Sequence, residues 1–292
     1  MMRCDFHVHS NHSDGELSPA EVSQQAVLEG VGLIALTDHD DVSGVAPARA
    51  RGKELGLEVL PGVELSVTEQ DGQRQMHILG LCIDPDEPSL LERLGRLKAG
   101  RLERAERIVE RLHACGVELS LGSVQASSPS GLVSRPHVAQ ALVEAGVCRD
   151  QDEAFGRFLR RGRPAFVPAP DHSAQEAIDV IHQSGGIAVL AHPPLSVGVD
   201  SSGGLESFVE PLVEAGLDGL EVWHPSHTPK RRKRIRQIAR RHDLVETGGS
   251  DFHGSHRPGI RIGHGRGNLA IDDSLSLIHI SEPTRPERSG VA

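Results

Sequence analysis

Tyrosine is absent from this 292-residue chain, tryptophan occurs once and phenylalanine six times. A sizeable core must therefore be built from Leu, Val, Ile and Ala. Cysteine is scarce too. Cys4, Cys82, Cys115 and Cys148 lie far apart and form no CxxC pair. That argues against a zinc ribbon and a disulfide framework, and each reads as a small buried apolar residue. No apolar run approaches the roughly 20 residues of a membrane-spanning helix, so no membrane partner is expected. No charged segment leads into an apolar one at the start, so no signal peptide is expected and a cytoplasmic location is the default. The formal net charge is −10. It argues against broad nucleic-acid binding through net charge but leaves room for a local basic pocket. None of these features bears on oligomeric state.

What the chain has in excess is histidine, 17 residues. The stretch CDFHVHSNHSDGELSPAE gathers His7, His9 and His12 with Asp5 and Asp14. From Met2 to His9, apolar Met2, Cys4, Phe6 and Val8 alternate with Asp5, His7 and His9. Period two predicts a strand with the polar three on one face. Ser18, Pro19 and Glu21 then form a capping box that opens a helix to about Gly30. VGLIALTDHDD is a short strand carrying Asp38, His39 and Asp40 at its end, and a helix from about Val42 to Leu55 follows. LEVLPGVELS is a strand ending near Glu64, and MHILGL carries His77. The rhythm returns late. A helix is capped by Ser173 and Glu176, and further strands end at His192, at His224, and at Asp251 and His253.

Strands alternating with helices predict an α/β fold with a parallel sheet or barrel. Polar residues recur at the C-terminal ends of strands, where barrel active sites are built. The stretch 88–165 shows helical pattern and little strand. The expected organisation is therefore a barrel in two parts, 1–87 and 166–271, interrupted by a helical insertion at 88–165. The last stretch, 272–292, follows no period and reads as a non-native or poorly packed tail.

Nine donors collect at the expected strand ends: His7, His9, Asp14, His39, Glu64, His77, His192, Asp251 and His253. Burying so many polar groups without partners would cost several kcal/mol each, roughly. Metal ions are the economical partner. Six imidazoles and three carboxylates without a thiolate suit Mn²⁺, Fe²⁺ or Zn²⁺. Three divalent ions against three carboxylates leave an excess of positive charge, which suits an anionic, phosphate-like substrate. Metal clusters of this kind activate water and clamp phosphoryl oxygens.

FHVHSNHSDG, ALTDHDDVSG, PGVELS, GGIAVLAHP and GSDFHG, in this order, resemble the motifs of the polymerase-and-histidinol-phosphatase (PHP) superfamily. The resemblance covers most of residues 3–268. It implies a distorted seven-stranded (β/α) barrel with a trinuclear site of three divalent ions, Mn²⁺ foremost. By position, it implies that His7, His9, Glu64 and Asp251 hold one ion. Glu64 would bridge to a second, shared with His77 and His192, while Asp14, His39 and His253 would hold the third. The catalytic set implied is Asp14, His39, Glu64, His192 and Asp251, with His12 as a candidate for substrate binding or proton transfer.

SRPHVAQALVEAG and KAGRLERAERI look most like the nucleotidase branch, which includes 3',5'-nucleoside bisphosphate phosphatases and 5'-to-3' exoribonucleases. A small anionic nucleotide or short RNA is then the expected substrate. Histidinol-phosphate phosphatase and a non-catalytic PHP module are the alternatives. Within the insertion, Leu94, Leu97, Arg101, Arg104, Ile108 and Leu112 follow the spacing of a helix's buried stripe, yet two positions are arginine. Either their stems lie on apolar surface with the heads in water, or the guanidiniums grip a phosphate. Ser134, Arg135 and His137 are placed to join them from a neighbouring loop. The run TPKRRKRIRQIARRH reads as a charged outer helix, with an RNA-guiding surface as the other reading.

Overall fold

The computed structural model describes residues 2–69, 74–128, 131, 133–193 and 204–271. The tail expected at 272–292 lies outside the described residues. Seven strands form one sheet in sequence order. They are β1 (Arg3–Val8), β2 (Val31–Leu36), β3 (Glu58–Glu69), β4 (Arg74–Leu81), β5 (Ile187–Leu190), β6 (Gly219–Trp223) and β7 (Val245–Gly248). β1, β2 and β3 pair in parallel, as do β5, β6 and β7. β4 corrects the all-parallel expectation, because it runs antiparallel to both β3 and β5. Four residues separate β3 from β4, whereas a parallel crossover needs roughly a dozen.

The sheet turns back on itself through the segment after β7. Asp251 N donates to His7 O at 2.8 Å and His9 N to Phe252 O at 3.0 Å. Cys4, Phe6, Leu33 and Ala35, from β1 and β2, pack in one cluster with Leu79, Leu81, Ile187 and Val189 from β4 and β5. Those strand pairs are not neighbours in the sheet, so this cluster spans the barrel interior. Fully burying each of its Phe, Leu, Ile and Val side chains contributes roughly 1.5–3 kcal/mol.

Helices cover the outside. α1 (Pro19–Leu28) starts at the expected capping box, with Ser18 Oγ receiving Glu21 N–H. α2 (Val45–Leu55) ends on Gly56, whose φ of +71° is the left-handed cap that favours glycine. The stretch after β4 holds α3 (Pro88–Ala114), α4 (Leu121–Ala126), α5 (Arg135–Glu144) and α6 (Gln151–Ala154), continued by a π-turn at Phe155–Leu159. α3, at 27 residues, bridges two cores. Its first half packs Leu90, Leu94 and Leu97 on the barrel. Its second half packs Ala105, Ile108 and Leu112 in a separate cluster with α5 and Phe158. The remaining helices are α7 (Ala174–Gln183), α8 (Gly204–Glu214) and α9 (Pro229–Arg241). Among the described residues no helix is long and apolar enough to cross a membrane.

Candidate metal centre

The topology delivers donors to one end of the barrel. His7 lies one residue before the end of β1 and His9 one after it, while His39 lies past the end of β2. Glu64 sits within β3, where Glu64 N donates to Asp38 O. His77 reaches the same end by another route. It lies near the start of β4, opposite Ser66, and strand reversal turns that start toward the mouth. His192 lies just past β5, and Asp251 and His253 just past β7.

Four atoms form the deepest group. His7 Nε2 and His9 Nε2 are 3.1 Å apart, and each is 3.1 Å from Glu64 Oε2. Asp251 Oδ1 stands 3.5 and 3.4 Å from the same two nitrogens. Donors held at about 2.1 Å from a central ion are themselves about 3.0–3.4 Å apart, depending on coordination angle. The cage therefore fits a divalent ion. His39 Nδ1 also lies 3.1 Å from Glu64 Oε2. Even so, Glu64 Oε2, His39 Nδ1, His192 Nδ1 and His253 Nε2 are buried and make no hydrogen bond. Orphaned buried polar atoms at a cluster's centre point to an ion as their partner.

The other oxygen, Glu64 Oε1, receives His77 Nδ1 at 2.9 Å and lies 3.1 Å from His192 Nε2. A further group joins His9, Asp14, His39 and His253. His253 Nε2 is 3.1 Å and His39 Nε2 3.8 Å from Asp14. The structure thus brings all nine expected donors together. His12 stands at the rim, its Nδ1 2.7 Å from Ser43 Oγ.

Electrostatics follow from this crowding. Burial pushes the Glu64 carboxyl up, but His39, His7 and His77 outweigh it and hold it well below its ordinary value. Asp14 and Asp251 are held low by the same balance. Burial pushes His39 down to about 4. Burial would lower His9 as well, but Asp251 and Glu64 raise it to about 9. Protons and metal ions compete for the same lone pairs here. Asp40, His192 and Asp251 also adopt left-handed backbone, with φ of +49°, +31° and +54°. Such residues cost about 1–3 kcal/mol each and cluster where function requires them.

Two neighbours of the cluster escaped the sequence. Glu221 of β6 is fully buried and receives His7 Nδ1 at 3.0 Å. Arg257 pairs with Asp251. His224, the strand-end histidine after β6, is buried, with Nε2 3.2 Å from Asp251 Oδ2. Asp5, on the same strand face as His7 and His9, is a buried acceptor for the backbone N–H groups of His7, Ser250 and Gly263. Asp38 likewise holds the loop that carries Asp14, receiving Ser10 N and Ser13 Oγ.

A cavity of about 200 Å³ opens beside the cluster, with His77 in its wall. Arg101, Arg104, Ser134 and Arg135 line it. Arg101 pairs with Asp40 and donates to Ser66 Oγ at 2.7 Å. Arg104 donates twice to Val167 O, at 3.0 and 2.7 Å. Burial, then the charges of Arg135 and Arg101, pushes Arg104 down to about 10. His137 Nδ1 lies 2.9 Å from Ser134 Oγ at the N-terminus of α5. The basic run forms α9, where Arg234 and Arg241 pair with Glu206, and Arg236 and Arg240 with Glu246. Those pairs fit the charged outer helix better than an RNA surface.

Comparison with known proteins agrees with this geometry. The PHP domain family matches residues 5–143. The chain is 37% identical to a 3',5'-nucleoside bisphosphate phosphatase from Chromobacterium violaceum, covering 90% of this chain and 92% of that one. It is 38% identical to the 5'-3' exoribonuclease Rnm of Escherichia coli K12, covering 85% and 84%. A solved structure from Bifidobacterium adolescentis, assigned by prediction as a metal-dependent phosphoesterase, superposes with a TM-score of 0.79 at 32% identity, covering 94% of both chains. The nine clustered donors, the seven-stranded sheet and these full-length similarities together place the chain in the PHP domain family.

Proposed function

We propose that this protein is a metal-dependent phosphomonoesterase that removes the 3'-phosphate from nucleoside 3',5'-bisphosphates, and that it also degrades short RNA from the 5' end. The observation that carries the reading is the shared wall. His77 of the metal cluster and three arginines face one cavity, so a ligand with two anionic groups can meet both. His7, His9, Glu64 and Asp251 would hold one ion. Glu64, His77 and His192 would hold a second, with His39 Nδ1 also facing Glu64, and Asp14, His39 and His253 a third. Nitrogen and hard oxygen donors suit Mn²⁺, with Zn²⁺ or Fe²⁺ within range. Bound there, such ions activate water and neutralise charge on the phosphoryl oxygens.

The chain's own groups do the rest. Arg101, Arg104 and Arg135, with Ser134 and His137, take the non-scissile phosphate and so fix the scissile one at the cluster. Stretch 88–165 acts as a substrate cap. His12, whose Nδ1 lies 2.7 Å from Ser43 Oγ, is our candidate to give a proton to the leaving alkoxide. Histidinol phosphate carries one phosphate and a cationic amine, which three arginines disfavour.

The test is a substrate panel on EDTA-treated protein reloaded with Mn²⁺. Adenosine 3',5'-bisphosphate and a 5'-phosphorylated oligoribonucleotide should be hydrolysed, and histidinol phosphate poorly. Preference for histidinol phosphate would overturn the substrate assignment. Failure of Mn²⁺ to restore any hydrolysis would overturn the enzyme reading.

A further inference from the structure

The geometry points to Glu221 as a positioning residue that sets metal affinity by fixing at once His7 of the deepest site and His192 of the site beside it. We draw this inference on the metal-dependent reading above. Glu221 is fully buried on β6 and belongs to none of the clusters of converging donor atoms. Its Oε1 receives His7 Nδ1 at 3.0 Å, and its Oε2 receives the backbone N–H of His192 at 2.7 Å. His7 is on β1 and His192 follows β5, strands that do not pair in the sheet. One side chain therefore ties a ligand ring on one wall to a ligand backbone on another.

Each bond has a separate consequence. A proton held on His7 Nδ1 leaves Nε2 with a free lone pair, and Nε2 is the atom 3.1 Å from Glu64 Oε2 and 3.5 Å from Asp251 Oδ1. The other tautomer would aim an N–H into the cage, so the acceptor on Nδ1 decides whether this imidazole can ligate. The second bond holds His192 at its φ of +31°. In that conformation its Nε2 stands 3.1 Å from Glu64 Oε1.

A carboxylate accepts at both oxygens, whereas a carboxamide has one acceptor and one donor. Glu221→Gln keeps the volume but must give up one of the two bonds. Glu221→Asp keeps the charge but is one methylene too short to span both donors.

The test uses full-length protein stripped with EDTA. It is titrated with Mn²⁺ against a chelator of known affinity, its metal content is measured, and the histidine ring nitrogens of the metal-free form are read by NMR. Glu221→Gln should bind its tightest Mn²⁺ about 10–100-fold more weakly. The His192 backbone N–H is a fixed donor whereas an imidazole can move its proton, so the amide oxygen keeps His192, the amide NH2 faces His7, and the His7 ring should lose the Nδ1–H signature that the wild type shows. Circular dichroism should be unchanged, and excess Mn²⁺ should recover activity. Wild-type Mn²⁺ affinity in Glu221→Gln would overturn the inference, as would a wild-type His7 that carries no proton on Nδ1. If Glu221→Gln does not fold, Glu221→Asp decides: the same loss supports the role and unchanged affinity overturns it. Wild-type protein that binds no Mn²⁺ would bring down the metal reading with it, whereas normal wild-type binding with an unaffected variant brings down only the role of Glu221.

Discussion

Arg104 shares with Arg101 a helix stripe otherwise occupied by leucine and isoleucine, and its guanidinium is aimed by two bonds to one carbonyl. A hydrogen bond to a charged group contributes about 1.5–3 kcal/mol. Arg104→Ala should therefore raise KM for adenosine 3',5'-bisphosphate about 10–100-fold while changing KM for an aryl phosphate little. Equal effects on both substrates would remove Arg104 from the second phosphate site. His227 makes a different point at the same scale. It is 2% exposed, and Nδ1 donates to Val222 O at 2.9 Å. Burial pushes it down from 6.5 to about 4. As pH falls through 6.5 the unfolded chain takes up a proton that the folded chain refuses until about 4. Stability is therefore full above 6.5 and lost between those values, by up to about 3 kcal/mol. His227→Gln keeps the donor and removes the titration, so its melting temperature should fall less than that of the wild type from pH 6.5 to 4.5. Parallel pH curves would refute this.

Between elements, the critical contact is where the sheet closes. At Gly249, just past β7, an added Cβ would lie 2.2 Å from His7 Cβ and 2.5 Å from His7 N. Backbone has nowhere to yield, so Gly249→Ala must push β7 away from β1 and move His7 with it. Overpacking costs about 1–3 kcal/mol or more, and here it also misplaces a proposed ligand. The variant should melt lower and bind Mn²⁺ more weakly. Gly95 is the control. It lies on the exposed side of α3 with nothing within 4 Å of a Cβ, and Gly95→Ala should stabilise by about 0.5–1 kcal/mol without touching metal binding. Gly95→Ala and Gly249→Ala giving the same result would refute the closure argument. Elements were legible where period and cap agreed, as at Ser18–Glu21. The reversal of β4 was legible only in the short link after Glu69, which hydrophobic pattern alone does not weigh. Glu221 was hidden for a related reason. In GLEVW it reads as one polar position of an alternating strand, and its partners His7 and His192 become neighbours only when β1, β5 and β6 assemble.

At the scale of the whole molecule, the donors come from segments between His7 and His253, spread over nearly the entire described chain. The motifs at strand ends made the donor set readable, because each carries its own local signal. No unfolded chain can present those donors together, so metal-binding free energy adds directly to folding free energy. An ion at 100 times its dissociation constant stabilises the native state by about 2.7 kcal/mol, and several sites add further. In a domain of this size each kcal/mol moves the midpoint by roughly 2–4 °C. EDTA-stripped protein should therefore melt at least about 5 °C below the Mn²⁺-loaded form, with the shift growing with Mn²⁺ concentration. The helices between β4 and β5 keep a core of their own around Ile108, Leu112 and Leu142, separate from the barrel's hydrophobic clusters. Proteolysis of the stripped protein should therefore cut first at the barrel mouth, in the loop Ser10–Glu16, while the insertion stays protected. First cuts within α3 or α5 would mean that the insertion, rather than the metal centre, is the weaker unit.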